Sequence, residues 1–87
     1  MSEQRQEQLE AAQEALQAGD FARGLGLAED VLEADASDGE ALYMAAVAAR
    51  YLKQFDRAQT HLSALHAANP EYGRAWQESA HLARAQG

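Results

Sequence analysis

The chain has 87 residues, a net charge of −7, three histidines and no cysteine. A chain of this length forms one small domain, which buries only about 60–65% of the surface that its unfolded form exposes. The lack of cysteine excludes a disulfide framework and a thiolate metal site, and it favours a reducing, cytoplasmic location. The longest apolar stretch, residues 41–49, is too short to cross a bilayer.

Charge is distributed unevenly along the chain. Residues 1–40 contain eleven acidic and two basic side chains, whereas residues 41–87 contain three acidic and five basic ones. The acidic total argues against DNA or RNA as a partner, because nucleic acid phosphates require a basic surface.

The first predicted helix covers residues 3–18, where leucines and alanines recur at helical spacing and four glutamates form the opposite, solvated face. Ser2 can cap the start of this helix. Gly19 can supply the left-handed conformation that ends it, and Asp20 can cap the helix that follows.

The second predicted helix covers residues 21–34 and contains two glycines, Gly24 and Gly26. A glycine inside a helix costs about 1 kcal/mol relative to alanine. We therefore expect close packing against a neighbouring helix to explain at least one of them.

The third predicted helix covers residues 38–52, and the spacing of Ser37 and Glu40 predicts a capping box at its start. The fourth covers residues 55–68. Facing apolar stripes predict that the two helices pack together, with Leu42, Ala45, Ala46, Ala49 and Leu52 on one and Phe55, Ala58, Leu62 and Leu65 on the other.

Pro70 stops the fourth helix, since proline lacks the amide that a helix needs. A fifth helix is predicted over residues 72–86, with Trp76, Ala80 and Ala83 facing inward and Leu82 close by. We expect Trp76 to be largely buried against the fourth helix. No segment has the pattern of a β-strand.

The helical pattern repeats after 34 residues, since Phe21 and Gly24 correspond in this spacing to Phe55 and Ala58. An unrelated helical bundle would have no reason to repeat at this interval. The same spacing pairs Ala11-Ala12 with Ala45-Ala46 and Ser79-Ala80, Ala15 with Ala49 and Ala83, Arg23 with Arg57, Val31 with Leu65, and Ala36 with Pro70.

Residues 39–72 resemble a tetratricopeptide repeat. In that family small residues fill the contact between two helices, as Ala46 does here, and proline ends the unit, as Pro70 does. An aromatic residue begins the second helix and a small residue follows three positions later, which matches Phe55 and Ala58.

The resemblance implies an all-α fold, an α-solenoid of about 2.5 helix-turn-helix units with five antiparallel helices in one domain, residues 1–87. The units cover about residues 5–38, 39–72 and 73–87, the last being a partial unit or a capping helix. Gln8 occupies the position of a large apolar residue, so the first unit is expected to pack loosely or to act partly as a cap.

Residues 43–58 and 69–87 also resemble the amino-terminal repeats of bacterial proteins that end in a sulfotransferase domain. The phosphate-binding loop of such an enzyme is not among these residues. We therefore expect no catalysis by this chain. The resemblance implies either a fragment of a longer enzyme, for which the repeats are regulatory, or a domain closed by a natural capping helix.

The tetratricopeptide resemblance also implies a protein–protein interaction module, whose first helices line a concave groove for a peptide or protein, with an acidic partner as one candidate. Arg50, Arg74 and Arg84 could bind carboxylates there, or could instead be solvated or paired with Glu78. The alternative is a structural role as a dimer or against an adjacent domain. The groove positions in the first unit are Leu9, Gln13, Leu16 and Gln17; those in the later units are Tyr43, Val47, Arg50, Tyr51, Arg74, Gln77, His81 and Arg84.

The three histidines do not predict a metal site. His61 and His66 are five residues apart, which separates them by about 140° around a helix, and His81 belongs to another helix. The serines are better explained as caps or small packing residues than as nucleophiles. No cofactor is expected.

Overall fold

The computed structural model describes residues 2–87, without the side chain of residue 2. Five α-helices are present: α1 (Ser2–Gln17), α2 (Phe21–Ala34), α3 (Gly39–Tyr51), α4 (Phe55–Ala68) and α5 (Gly73–Gln86). Residues 2–87 contain no strand. The prediction of an all-helical fold with five helices is confirmed. None of the five helices is both long enough and apolar enough to span a bilayer.

Helix α3 is the centre of the molecule, because it contacts each of the other four helices. Ala45, Ala46, Ala48 and Ala49 are all fully buried. These methyl side chains let neighbouring helices approach the α3 axis closely, and leucines of α4 and α5 complete the core. Helix α5 packs less extensively on α4 than α3 packs on α2.

The backbone turns of the chain follow the 34-residue spacing. Gly19, Lys53 and Gly87 have φ angles of 82°, 63° and 87°, and no other described residue has a positive φ. Each amide donates to the carbonyl oxygen three residues earlier, at 3.1, 3.0 and 3.2 Å. A positive φ is unusual for a residue other than glycine, and at the exposed Lys53 the turn is accompanied by a second backbone hydrogen bond, from the N–H of Gln54 to the Ala49 carbonyl oxygen at 2.8 Å.

Aspartates cap two of the helices. The Asp20 carboxylate accepts a hydrogen bond from the backbone N–H of Arg23 at 3.3 Å, as predicted. The predicted capping box of Ser37 and Glu40 is wrong, because α3 begins one residue later and Asp38 accepts from the N–H of Ala41 at 3.2 Å. Ser37 donates to Asp35 instead. The cap predicted for Ser2 lies outside the described side chains.

The two glycines of α2 differ in their surroundings. A Cβ added at Gly24 would lie 2.9 Å from Cδ2 of Leu16, whereas one added at Gly26 would meet nothing within 4 Å. Close packing therefore explains Gly24, where α1 and α2 touch. It does not explain Gly26.

The prediction that Trp76 is buried is wrong, as is the inward orientation of Ala80 and Ala83. Trp76 is 58% exposed, and both alanines are exposed. Helix α5 instead buries Ala75 and Leu82. Ala80 and Ala83 belong to a side of α5 that no other helix of residues 2–87 covers, and Trp76 contacts α4 with one face of its ring only.

Trp76 still has defined contacts. Its ring lies over the ring of His66 with centroids 4.2 Å apart, and its Nε1–H donates to the Pro70 carbonyl oxygen at 3.3 Å. One face of the indole is therefore held against α4, while the rest of the ring is in contact with water.

Candidate partner-binding groove

A groove of about 730 Å³ lies between α1, α3 and the segment that connects α4 to α5. Half-buried apolar and aromatic side chains form much of its wall, and the exposed Arg74 stands at one end. The side chains that define it are Gln13, Leu16, Tyr43, Met44, Tyr72 and Arg74.

Two tyrosines form the aromatic part of the groove. Tyr43 lies on α3 and Tyr72 immediately before α5, with ring centroids 5.8 Å apart and planes tilted by 45°. Burial raises the pKa of the Tyr43 hydroxyl, and the carboxylate of Glu78 adds to the rise. Like any tyrosine hydroxyl at neutral pH, it is protonated and can donate a hydrogen bond to a ligand.

The charges of the groove are mixed. Arg74 holds its guanidinium 5.9 Å from the centroid of the Tyr43 ring, and no ion pair among residues 2–87 involves it. Two carboxylates, those of Glu40 and Glu71, also line the groove. Glu40 is 3.9 Å from the guanidinium of Arg5. The groove thus offers one unpaired cation beside an aromatic wall, with two carboxylates elsewhere in its lining.

Arg50 is engaged inside the protein. Its Nε and Nη2 both donate to the carboxylate of Glu78, the second at a distance of 3.2 Å. The two side chains are only 17% and 2% exposed, and this hydrogen bonding raises the pKa of Arg50. Of the three possibilities for Arg50, the structure has the pairing with Glu78, which ties α3 to α5.

Tyr51 belongs to a separate cluster at the end of α3. It is 53% exposed and stacks on Phe21, with ring centroids 4.3 Å apart and nearly parallel planes. The guanidinium of Arg50 lies 4.5 Å from the Tyr51 centroid. Val47, in the preceding turn of α3, is half-buried. Neither Tyr51 nor Val47 lines the groove.

The other predicted residues of α5 lie outside the groove as well. Gln77, His81 and Arg84 are exposed, and Nη2 of Arg84 lies 3.2 Å from Nδ1 of His81. Among the eight predicted residues of α3 and α5, only Tyr43 and Arg74 line the groove.

The predictions for α1 are mixed. Gln13 and Leu16 line the groove, whereas Leu9 is fully buried in a small cluster with Val31 and Ala41. The prediction for Leu9 is wrong, because α2 and α3 both cover that part of α1.

Sequence reasoning missed two apolar wall residues. Met44 adjoins Tyr43 on α3, and Tyr72 stands where the sequence predicts the start of the fifth helix. The available signal was Pro70, because the chain that leaves a proline stop must pass over the end of a neighbouring helix.

A second cleft, of about 320 Å³, lies between α1 and the end of α2. Gln8, where the repeat would have a large apolar residue, lines it together with Val31 and an ion pair. In that pair Arg5 donates two hydrogen bonds to Asp38, which lower the pKa of the Asp38 carboxyl in spite of its burial. Arg5 and Asp38 are therefore occupied in holding α1 to the start of α3, and the other charged residues of the cleft, Asp30 and Asp35, are both acidic.

The histidines make isolated contacts. Nε2 of His61 lies 2.9 Å from a carboxylate oxygen of Glu29, and Nε2 of His66 lies 2.9 Å from the hydroxyl of Ser79. No cluster of three or more potential metal ligands occurs in the part of the chain that the structure describes.

Comparisons with protein-family models, with curated proteins and with solved structures gave no match.

Proposed function

We propose that this chain is a protein-interaction domain of tetratricopeptide-like architecture, which binds an extended segment of a partner protein in the groove between α1, α3 and the α4–α5 connection. The repeat proposal is supported by the 34-residue spacing of both the packing residues and the positive-φ turns. The binding proposal rests on one observation, the half-buried aromatic wall of Tyr43 and Tyr72 beside the unpaired Arg74.

The lining defines the chemistry of the ligand. An apolar or aromatic side chain would pack against Tyr43, Tyr72 and Met44, and a single carboxylate would meet Arg74. A run of several acidic residues is disfavoured, because Glu40 and Glu71 also line the groove. A site of this size is expected to give an affinity in the range of about 1 µM.

The test is a peptide-library screen on the immobilised domain, followed by titration of the selected peptides. Arg74→Glu should weaken the best peptide about tenfold, since it reverses the one unpaired charge of the groove. Arg23→Glu is the matched control, because Arg23 is exposed on α2 and does not line the groove. Equal binding by the two variants, or selection of basic peptides, would contradict the proposal.

Arg50 is unsuitable for this test. A glutamate at that position would face Glu78 across a buried contact, so lost binding could reflect a damaged fold. Tyr43→Phe is the appropriate second variant, because it keeps the aromatic wall and removes only the hydroxyl. We expect it to weaken ligands that accept a hydrogen bond from Tyr43 and to leave purely apolar ligands unchanged.

A further inference from the structure

Helices α3 and α5 carry equivalent faces that differ in what covers them. On α3, the residues Leu42, Ala46 and Ala49 are buried, because α4 packs over them. The equivalent residues of α5, 34 positions later, are Trp76, Ala80 and Ala83, and all three are exposed.

The helix that covers α3 indicates what would fit α5. The buried side of α4 begins with a half-buried aromatic residue, Phe55, and continues with a small residue three positions later, Ala58. Leu62 and Leu65 follow on the same side and are fully buried. A helix with this pattern presents small residues where the axes are closest and large ones where the faces diverge.

The charges on α5 argue against a second copy of this chain as the covering element. The only acidic residue of α5, Glu78, is turned inward to Arg50, so α5 presents no free carboxylate that could pair with the Arg84 of a second copy. A second α5 therefore supplies no ion pair across this face, whereas a partner helix with an acidic residue can.

We propose that the open face of α5, formed by Trp76, Ala80 and Ala83, is a docking site for one amphipathic α-helix of a partner protein. This helix lies antiparallel to α5, as α4 lies against α3. It has an aromatic residue, a small residue three positions later, and leucines seven and ten positions after the aromatic one. Where it meets Arg84 it is acidic or uncharged.

The site is distinct from the groove. It lies on the side of α5 that carries Trp76, whereas the groove contacts α5 only at its first two residues, Gly73 and Arg74. The domain can therefore hold a peptide in the groove and a helix on α5, and loss of either site leaves the other intact.

The experiment uses Trp76 as its own reporter, since it is the only tryptophan in the chain. The probe is a capped peptide with the sequence of residues 54–68, which carries the α4 pattern and no tryptophan. Titration to about 1 mM should shift the Trp76 emission to shorter wavelength in a saturable way, while a scrambled peptide of the same composition should not.

Two matched variants locate the binding. Ala80→Glu should weaken the probe at least tenfold, because it sets a charge in the middle of the contact. Ala85→Glu makes the same change at an exposed position on the opposite side of α5 and should alter binding less than about twofold. Circular dichroism verifies that both variants keep the helical content of the wild type.

Three results would overturn the proposal. The first is a free peptide that causes no saturable shift in the Trp76 emission, while the same peptide sequence, fused directly after Gly87, does bury Trp76. The second is a concentration-dependent blue shift of the domain alone, with dimer formation in sedimentation, which would identify a second copy as the occupant. The third is equal weakening by Ala80→Glu and Ala85→Glu. Because Arg74→Glu should leave this titration unchanged, failure here is distinguishable from failure of the groove.

Discussion

Helices α3 and α5 are a natural comparison, because the 34-residue spacing aligns them residue by residue. Both pack against the helices that precede them, α3 with Ala41 and α5 with Ala75, which are equivalent and fully buried. They differ on the side that carries Leu42 in α3 and Trp76 in α5. Helix α4 covers this side of α3, and no described helix covers it on α5. Leu42 is 2% exposed, whereas its equivalent Trp76 is 58% exposed.

A position in the repeat therefore determines the direction of a side chain but not its burial. Burial depends on whether a second element is present on that side. The side chain at this repeat position, Leu42 in α3 and Trp76 in α5, has the same orientation in both helices. It contributes to folding stability only where another helix covers it.

The largest effect is expected for Leu42→Ala, which removes a fully covered side chain from α3. We expect a loss of about 2–5 kcal/mol in the free energy of unfolding, a large share of the stability of a small domain. Trp76→Ala, at the equivalent position of α5, should cost only about 1 kcal/mol, because most of its ring already contacts water. Urea denaturation measures both, and similar losses would refute the comparison.

The next effect concerns the ion pair that joins α3 to α5. Glu78→Gln leaves Arg50 without a counter-charge in a mostly buried site, and we expect a loss of about 2 kcal/mol. The value is lower than for a fully buried pair, because Arg50 retains contact with water. Glu71→Gln, at an exposed position, is the control and should change stability by less than about 0.5 kcal/mol. An equally stable Glu78→Gln variant would show that the ion pair does not hold α5.

Asp38 should make the domain sensitive to acid. Its folded-state pKa is lowered by the hydrogen bonds from Arg5, so the unfolded state binds a proton more readily in the pH range below about 4. The stability that the pair contributes is therefore complete above that range and is lost as the pH falls through the folded-state pKa.

Asp38→Asn tests this expectation, since asparagine can still cap α3 but cannot pair with Arg5 as an ion. It should cost about 1–2 kcal/mol at neutral pH, and the difference from the wild type should shrink toward acid. Thermal unfolding between pH 7 and pH 3 measures the trend. A difference that is constant with pH would contradict the assigned role of the ion pair.

The smallest effects are expected at the two glycines of α2. Gly26→Ala should stabilise the domain by about 0.5–1 kcal/mol, because the added methyl group meets nothing and the helix gains propensity. Gly24→Ala should gain less or nothing, since its methyl group must displace the Leu16 side chain. Denaturant midpoints of the two variants, measured side by side, provide the check. A larger gain at Gly24 would contradict the close approach of α1 and α2.

The helices could be predicted because their signals are local. Gly19 ends α1 and Pro70 stops α4 without reference to the rest of the molecule. The sequence does not decide whether Arg50 pairs with Glu78. The distance between these two side chains depends on how α5 is rotated against α3 and not on sequence spacing. Tyr72 was missed as a wall of the groove for a similar reason, since its position depends on the path of the chain between two packed helices.

Thiol reactivity at equivalent positions of α3 and α5 distinguishes the covered face from the open one, and it can be measured site by site because the chain has no cysteine. Ala46→Cys lies under α4 and Ala80→Cys on the open face of α5. We predict that the thiol at position 80 reacts at nearly the rate of the unfolded chain, and that the thiol at position 46 reacts at least about 100-fold more slowly, since modification there requires the helices to open. Comparable protection at the two positions would contradict the claim that α4 covers α3 while the equivalent face of α5 is open.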